Sequence, residues 1–158
     1  MALAKAVASS FAILSAFLLP ACGDKGAIAL SVEIREPSLN VESAALGTKL
    51  SGGFQLILSL GGEASGPTQV TPGTFALRNA AGTPAPSLAM TLDQSPPIAV
   101  PVGSSKTVNA TIDASKLLDA SAHDALCGGN LWFSAALSDT LGGRVTDARS
   151  LEFLPVCP

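Results

Sequence analysis

Apolar residues recur at every second position through short segments of this 158-residue chain, a period that belongs to half-buried β-strands. Ile28, Leu30, Val32 and Ile34 alternate with Ala29, Ser31, Glu33 and Arg35, and Phe54, Leu56, Leu58 and Leu60 repeat the pattern after Ser51-Gly52-Gly53. Val108, Ala110 and Ile112 continue it, as do Leu131, Phe133, Ala135 and Leu137. Val70 and residues 74–78 lead into the turn-rich Asn79-Ala80-Ala81-Gly82 and then Leu88, Met90 and Leu92, which reads as a hairpin. Ile98, Val100 and Val102 alternate around Pro101, and a proline cannot donate to a ladder, so this strand belongs at an edge. Residues 130–138 and 144–154 read as two strands around the turn 139–143. In the second of them Val145, Leu151 and Phe153 share parity with Asp147 and Arg149, which predicts a bulge or partial exposure.

Seven or eight short strands divided by Gly, Pro, Ser and Thr turns predict an all-β fold, an antiparallel β-sandwich of immunoglobulin-like topology. Residues 113–126 (DASKLLDASAHDAL) depart from period two. Asp113 is a good N-cap and Gly128 follows the end, so the segment reads as a short helical crossover between the sheets. Residues 37–49 have mixed character and read as an irregular connection. The stretch from Phe75 through Arg78 to Gly82, with the later Val102-Gly103-Ser104-Ser105 turn, resembles immunoglobulin-like domains of uncharacterised bacterial lipoproteins. That resemblance covers about half of the domain; it supports the fold and carries over no functional residue.

Charged residues make up 13% of the chain and aromatics 4%, with one Trp and no Tyr, so the stacking platforms used on nucleic acids and sugars are scarce. The net charge is −3, and loss of Lys5 with a leader would take it to −4. An acidic, basic-poor chain suits neither phosphate backbones nor anionic headgroups, and no nucleic-acid partner is expected.

The leader is the basis for that loss. Met1 to Lys5 carries one positive charge, residues 6–19 are apolar and uncharged, and Pro20 closes the run, which is the length of a secretion signal and short for a membrane span. Leu19-Pro20-Ala21-Cys22 resembles the lipobox of bacterial lipoprotein precursors. The resemblance implies cleavage after Ala21 and a diacylglyceryl thioether on Cys22. Ordinary signal cleavage, the alternative, favours a small residue where Leu19 stands. The expected organisation is a signal peptide over 1–21, a tether over 22–26 and the sandwich over 27–158. Two or three acyl chains anchor stably where one does not, so the membrane becomes a partner through Cys22. Gly23 directly after Cys22, with Asp24 one position later, points to the outer rather than the inner membrane of the cell envelope.

With Cys22 assigned to lipid, Cys127 and Cys157 remain as an even pair in an oxidising compartment. Folding the last hairpin about Leu141 or Gly142 brings them opposite one another, within disulfide range. Neither lies in a C-x-x-C, and a structural zinc site wants four ligands, so a metal or reactive thiol pair is the weaker reading.

The catalytic inventory is thin. His123, the only His, has Asp119 at i−4 and Asp124 beside it, an arrangement that could orient a general base. No G-x-S-x-G supplies a nucleophile, and Ser115 and Ser121 read as capping or solvent-facing residues, so His123 reads more simply as part of a solvated face. The Gly-rich stretches 51–53 and 61–66 lack the Lys of a phosphate loop, and no acidic run has calcium-loop spacing. The sequence therefore nominates no catalytic residue, metal or cofactor. It points to a lipid-anchored, non-catalytic binding or structural module that engages another envelope protein through strand edges or loops. The alternative is a periplasmic carrier of an apolar ligand, with Ala/Leu/Val-rich strands lining a cavity.

Overall fold

The computed structural model describes residues 30–79 and 84–158, so the leader, Cys22, the tether, Ile28 and most of the 79–82 turn lie outside the described residues. Among the described residues ten strands and one helix follow in order: β1 (Leu30–Ala44), β2 (Gly47–Leu60), β3 (Thr68–Asn79), β4 (Pro84–Ser87), β5 (Met90–Leu92), β6 (Ile98–Val100), β7 (Ser105–Ile112), β8 (Leu117–Leu118), α1 (Ala122–Cys127), β9 (Leu131–Asp139) and β10 (Val145–Arg149). They form two antiparallel sheets, ordered β1-β2-β7-β5 and β10-β9-β3-β4. The short β8 extends the first sheet beside β2, and β6 lies beside β3 in the second. With β4, β6 and β8 set aside and the other seven strands lettered in chain order, the sheets run A-B-E-D and G-F-C, as in immunoglobulin constant-type sandwiches, with β4 as an added edge strand.

The inward positions of both sheets meet in one core. Leu56, Leu58, Val70, Leu77, Val108, Phe133 and Leu137 are at most 1% exposed. Phe133 sits between Phe54, with ring centroids 4.8 Å apart, and Phe153, stacked at 5.3 Å with planes 14° apart. Such aromatic contacts add about 0.5–1.5 kcal/mol each beyond the area they bury.

Residues 37–49 are not an irregular connection. They complete β1, make a two-residue turn at Ala45-Leu46, and begin β2. Between Arg35 and Ser38 β1 takes in one residue more than β2, with Glu36 at φ 49°. The bulge reverses parity, so that Leu30 and Ile34 face the core before it and Leu39 and Val41 after it. That reversal is why the alternation looked broken.

The helix is shorter than expected. Asp113 accepts hydrogen bonds from the Ser115 amide (3.0 Å) and hydroxyl (2.6 Å), which closes a turn instead of starting a helix. Leu117-Leu118 then pairs with Lys49 and Thr48, and only residues 122–127 are helical. The segment does carry the chain from one sheet to the other. The expected hairpin is also divided, because β4 pairs with β3 while Met90 and Leu92 cross to the first sheet beside β7. β6 is an edge segment ending before Pro101. The last strand is irregular: Arg149 pairs with Ser134, but Phe153 pairs with Leu131, a shift of one residue around the buried Ser150. The shift turns Phe153 inward and leaves Val145 66% exposed.

Candidate functional site

The two ends of the sandwich differ in chemistry. At the end where β1 begins, the backbone closes tightly, with the Leu60 amide donating to the Ser104 carbonyl (3.0 Å) and the Gly103 amide to the Gly61 carbonyl (3.3 Å). There Asp139 organises the β9–β10 turn, accepting from the amides of Leu141 (2.9 Å) and Gly142 (2.7 Å). These are structural contacts. The opposite end carries α1, the disulfide and the single imidazole.

Cys127 and Cys157 are bonded, with Cα atoms 6.1 Å apart. Cys127 is the last residue of α1 and Cys157 follows Val156, which sits in a parallel bridge to Asn40 of β1. The bond thus ties the crossover helix to the C-terminal segment, and it obeys the register of the Leu131–Phe153 pair continued four residues outward.

His123 does not use Asp119. Because α1 starts at Ala122, Asp119 lies outside the helix and shares no helical face with His123; the Asp119 carbonyl accepts from the Ala122 amide (2.9 Å) and the Thr48 hydroxyl (3.0 Å). His123 instead places Nδ1 3.2 Å from Asp124 Oδ1 and Nε2 3.8 Å from Cys127 Sγ. Carboxylate, imidazole and sulfur stand in a row. Ser115 and Ser121 do not join it: Ser115 bonds Asp113, and Ser121 makes no side-chain cap to α1. Among the described residues no three His, Cys, Asp or Glu side chains gather as a metal site, and no helix is long and apolar enough to cross a membrane.

Two surfaces have the relief of binding sites. The outward face of the second sheet holds Trp132, with the Arg149 guanidinium 3.8 Å from its ring centroid and Arg78 in register across β3. Ala76, Ser134 and Ala136 form the floor of a depression of about 360 Å³ beside this pair. A larger cleft, about 590 Å³, opens between the β3 irregularity at Pro72 and the edge strand β5, lined by Phe75, Leu88, Met90, Leu92 and Gln94. The sequence reading missed both. The Trp132, Ser134, Ala136 alternation carried a signal for the first, but its pairing with Arg149 appears only once β9 and β10 are in register.

Glu33, Arg35 and Asp113 are shifted from their ordinary values. A hydrogen bond from Arg35, reinforced by its charge, holds Glu33 below its ordinary value, and Arg35 is raised in return. The Ser115 hydroxyl, followed by its amide, lowers Asp113. None of these groups lies in either cleft.

Compared with known proteins, the chain matches no family model, no curated protein and no solved structure.

Proposed function

We propose that this protein is a lipid-anchored module of the bacterial cell envelope, held to its membrane through Cys22, that works by binding another envelope protein and performs no catalysis. The observation that carries the reading is the Leu19-Pro20-Ala21-Cys22 sequence placed only eight residues before the first described strand residue, Leu30. That stretch reaches at most about 28 Å. The chain enters β1 at the end with the tight 61–67 and 101–104 turns, which would face the membrane, and α1 and the disulfide would face away.

The Trp132–Arg149 face and the β5-edge cleft are the surfaces on offer to a partner, since Trp and Arg are favoured anchors at interfaces and Arg149 would have to swing aside to present the covered Trp132 ring. Filling of the intersheet space by Phe54, Phe133, Leu56 and Leu58 favours this module over a carrier of an apolar ligand. The test is the intact mass of protein extracted from membranes, combined with crosslinking in cells. A diacylglyceryl-bearing Cys22 and a crosslinked envelope protein that is lost in a Trp132→Ala variant are expected. An unmodified Cys22 in the soluble fraction would overturn the anchor, and a co-purifying lipid between the sheets would restore the carrier.

A further inference from the structure

We propose that the Cys127–Cys157 disulfide is a site of thiol–disulfide exchange with an external dithiol, in which Cys157 is attacked, Cys127 leaves toward His123, and residues 154–158 are released from β1. This goes beyond the binding role and holds whether or not Cys22 carries lipid.

Three observations converge. The first is access: Cys157 is exposed whereas Cys127 is half-buried at the end of α1, so an incoming thiolate meets the Cys157 sulfur first. The second is the leaving group. Exchange is faster when the departing sulfur is stabilised as a thiolate, and a neighbouring imidazolium does this. His123 Nε2 is 3.8 Å from Cys127 Sγ, and its Nδ1 faces Asp124 Oδ1 at 3.2 Å, which orients the ring toward the sulfur. Cys157 has no such partner among the described contacts. The third is consequence. Phe153 stays fixed by two backbone hydrogen bonds with Leu131 (2.9 Å each) and by its stacking on Phe133. Beyond it, the backbone is tied to β1 by only two bonds, Val156 amide to Leu39 carbonyl and Val41 amide to Val156 carbonyl (2.8 Å each), while Leu154 and Val156 remain 71% and 65% exposed. Two hydrogen bonds with little buried surface do not offset the entropy of ordering five residues. The disulfide supplies the difference.

The chemistry balances with a dithiol as reductant. One of its thiolates attacks Cys157 Sγ, the S–S bond breaks, and the electron pair departs on Cys127 Sγ, which takes the proton from His123 Nε2. The second thiol of the reductant, losing its proton to solvent, attacks the first thiol's sulfur in the mixed disulfide and expels Cys157 as a thiolate that is protonated from solvent. The protein gains two electrons and the dithiol becomes a disulfide.

The test uses the full oxidised chain under native conditions. Glutathione is added, mixed disulfides are trapped by acid and alkylation, and peptide mass spectrometry assigns the adduct. Dithiothreitol then gives the second-order rate of reduction for the wild type and for His123→Gln. Expected are adducts on Cys157 in large excess over Cys127, and a rate about tenfold lower in His123→Gln, following the dependence of exchange on the leaving thiol. After reduction the Val41 amide should exchange with solvent at least tenfold faster while Leu56 in the core stays protected. Equal adducts on the two sulfurs, or an unchanged rate in His123→Gln, would overturn the assigned exchange. Unchanged protection of Val41 would overturn the release. The adduct assignment needs no variant, so misfolding of His123→Gln leaves it decisive.

Discussion

The side-chain position of Gly52 points straight at the carbonyl oxygen of Ser38, beside the bulge where β1 carries one residue more than β2. Gly52 holds φ at +124°, a region closed to other L residues, and a Cβ there would collide with the Ser38 carbonyl and press on Leu39. Backbone strain of this kind costs about 1–3 kcal/mol before the collision is counted. Gly52→Ala should therefore lower unfolding free energy by about 2 kcal/mol or more in urea titration. Gly62→Ala, at a position with open space, should stay within about 0.5 kcal/mol of wild type. Equal stability of the two variants would show that the bulge is not held by Gly52.

Trp132 is only 7% exposed although it stands on the outward face of its sheet, because Arg149 lies over its ring. It is also the chain's one Trp, so its fluorescence reports the surroundings of this ring and of no other. Arg149→Ala should shift the emission to longer wavelength and cost about 0.5–1 kcal/mol, through lost cation–π attraction and lost cover from the arginine stem. Emission unchanged in Arg149→Ala would mean that other groups shield the ring.

Much of the architecture was legible because buried strands repeat with period two, as in Phe54–Leu60 and Leu131–Leu137. What escaped did so where one local rule was overruled by another. Leu39 and Val41 continue β1, but the bulge at Glu36 inverts their parity, and no alternation crosses it. Residues 113–126 have helical spacing, yet Asp113 spends its carboxylate on Ser115 and Leu117-Leu118 finds strand partners in β2. For the site, the disulfide followed from hairpin arithmetic. Of the two carboxylates read beside His123, Asp124 meets the ring and Asp119 does not, because the i−4 pairing with Asp119 presumes a helix that starts at least three residues too early. Contacts such as Arg149 on Trp132 depend on register between strands, which no single segment encodes.

The disulfide closes a loop with a sequence separation of 30 residues. Chain-entropy reasoning assigns it about 3.5 kcal/mol through restriction of the unfolded state. Cys157→Ser, or reduction of the wild type, should lower stability by about that amount while leaving the far-ultraviolet spectrum of the sheets in place. If denaturant midpoints with and without reductant coincide, the staple is not a stabilising element.

Asp113 gives a sign-defined pH dependence. Its carboxylate is held below the ordinary value of 3.8 by the Ser115 hydroxyl and amide. A lowered folded value means that the turn's contribution is complete above the unfolded carboxylate range and is lost as pH falls through the folded value. Ser115→Ala removes the larger cause, so a carbon-detected NMR titration should find the Asp113 midpoint moved upward toward 3.8. A midpoint that stays low in Ser115→Ala would assign the shift to the backbone amide or to Lys116.

Replacement of Cys22 separates anchoring from folding. The described β1 ladder begins at Leu30 paired with Leu60, eight positions after Cys22, and the described core residues lie at and beyond that point. Anchoring instead depends on buried methylenes, at about 0.8 kcal/mol each, and on more than one acyl chain. Cys22→Ser should therefore abolish the acyl mass and move the protein out of the sedimentable membrane fraction, with its thermal midpoint in detergent-free buffer within about 2 °C of the delipidated wild type, less than a 1 kcal/mol loss would produce in a domain of this size. Continued sedimentation of Cys22→Ser with membranes would mean that the sandwich itself, through a surface such as the Trp132–Arg149 face, holds the protein there.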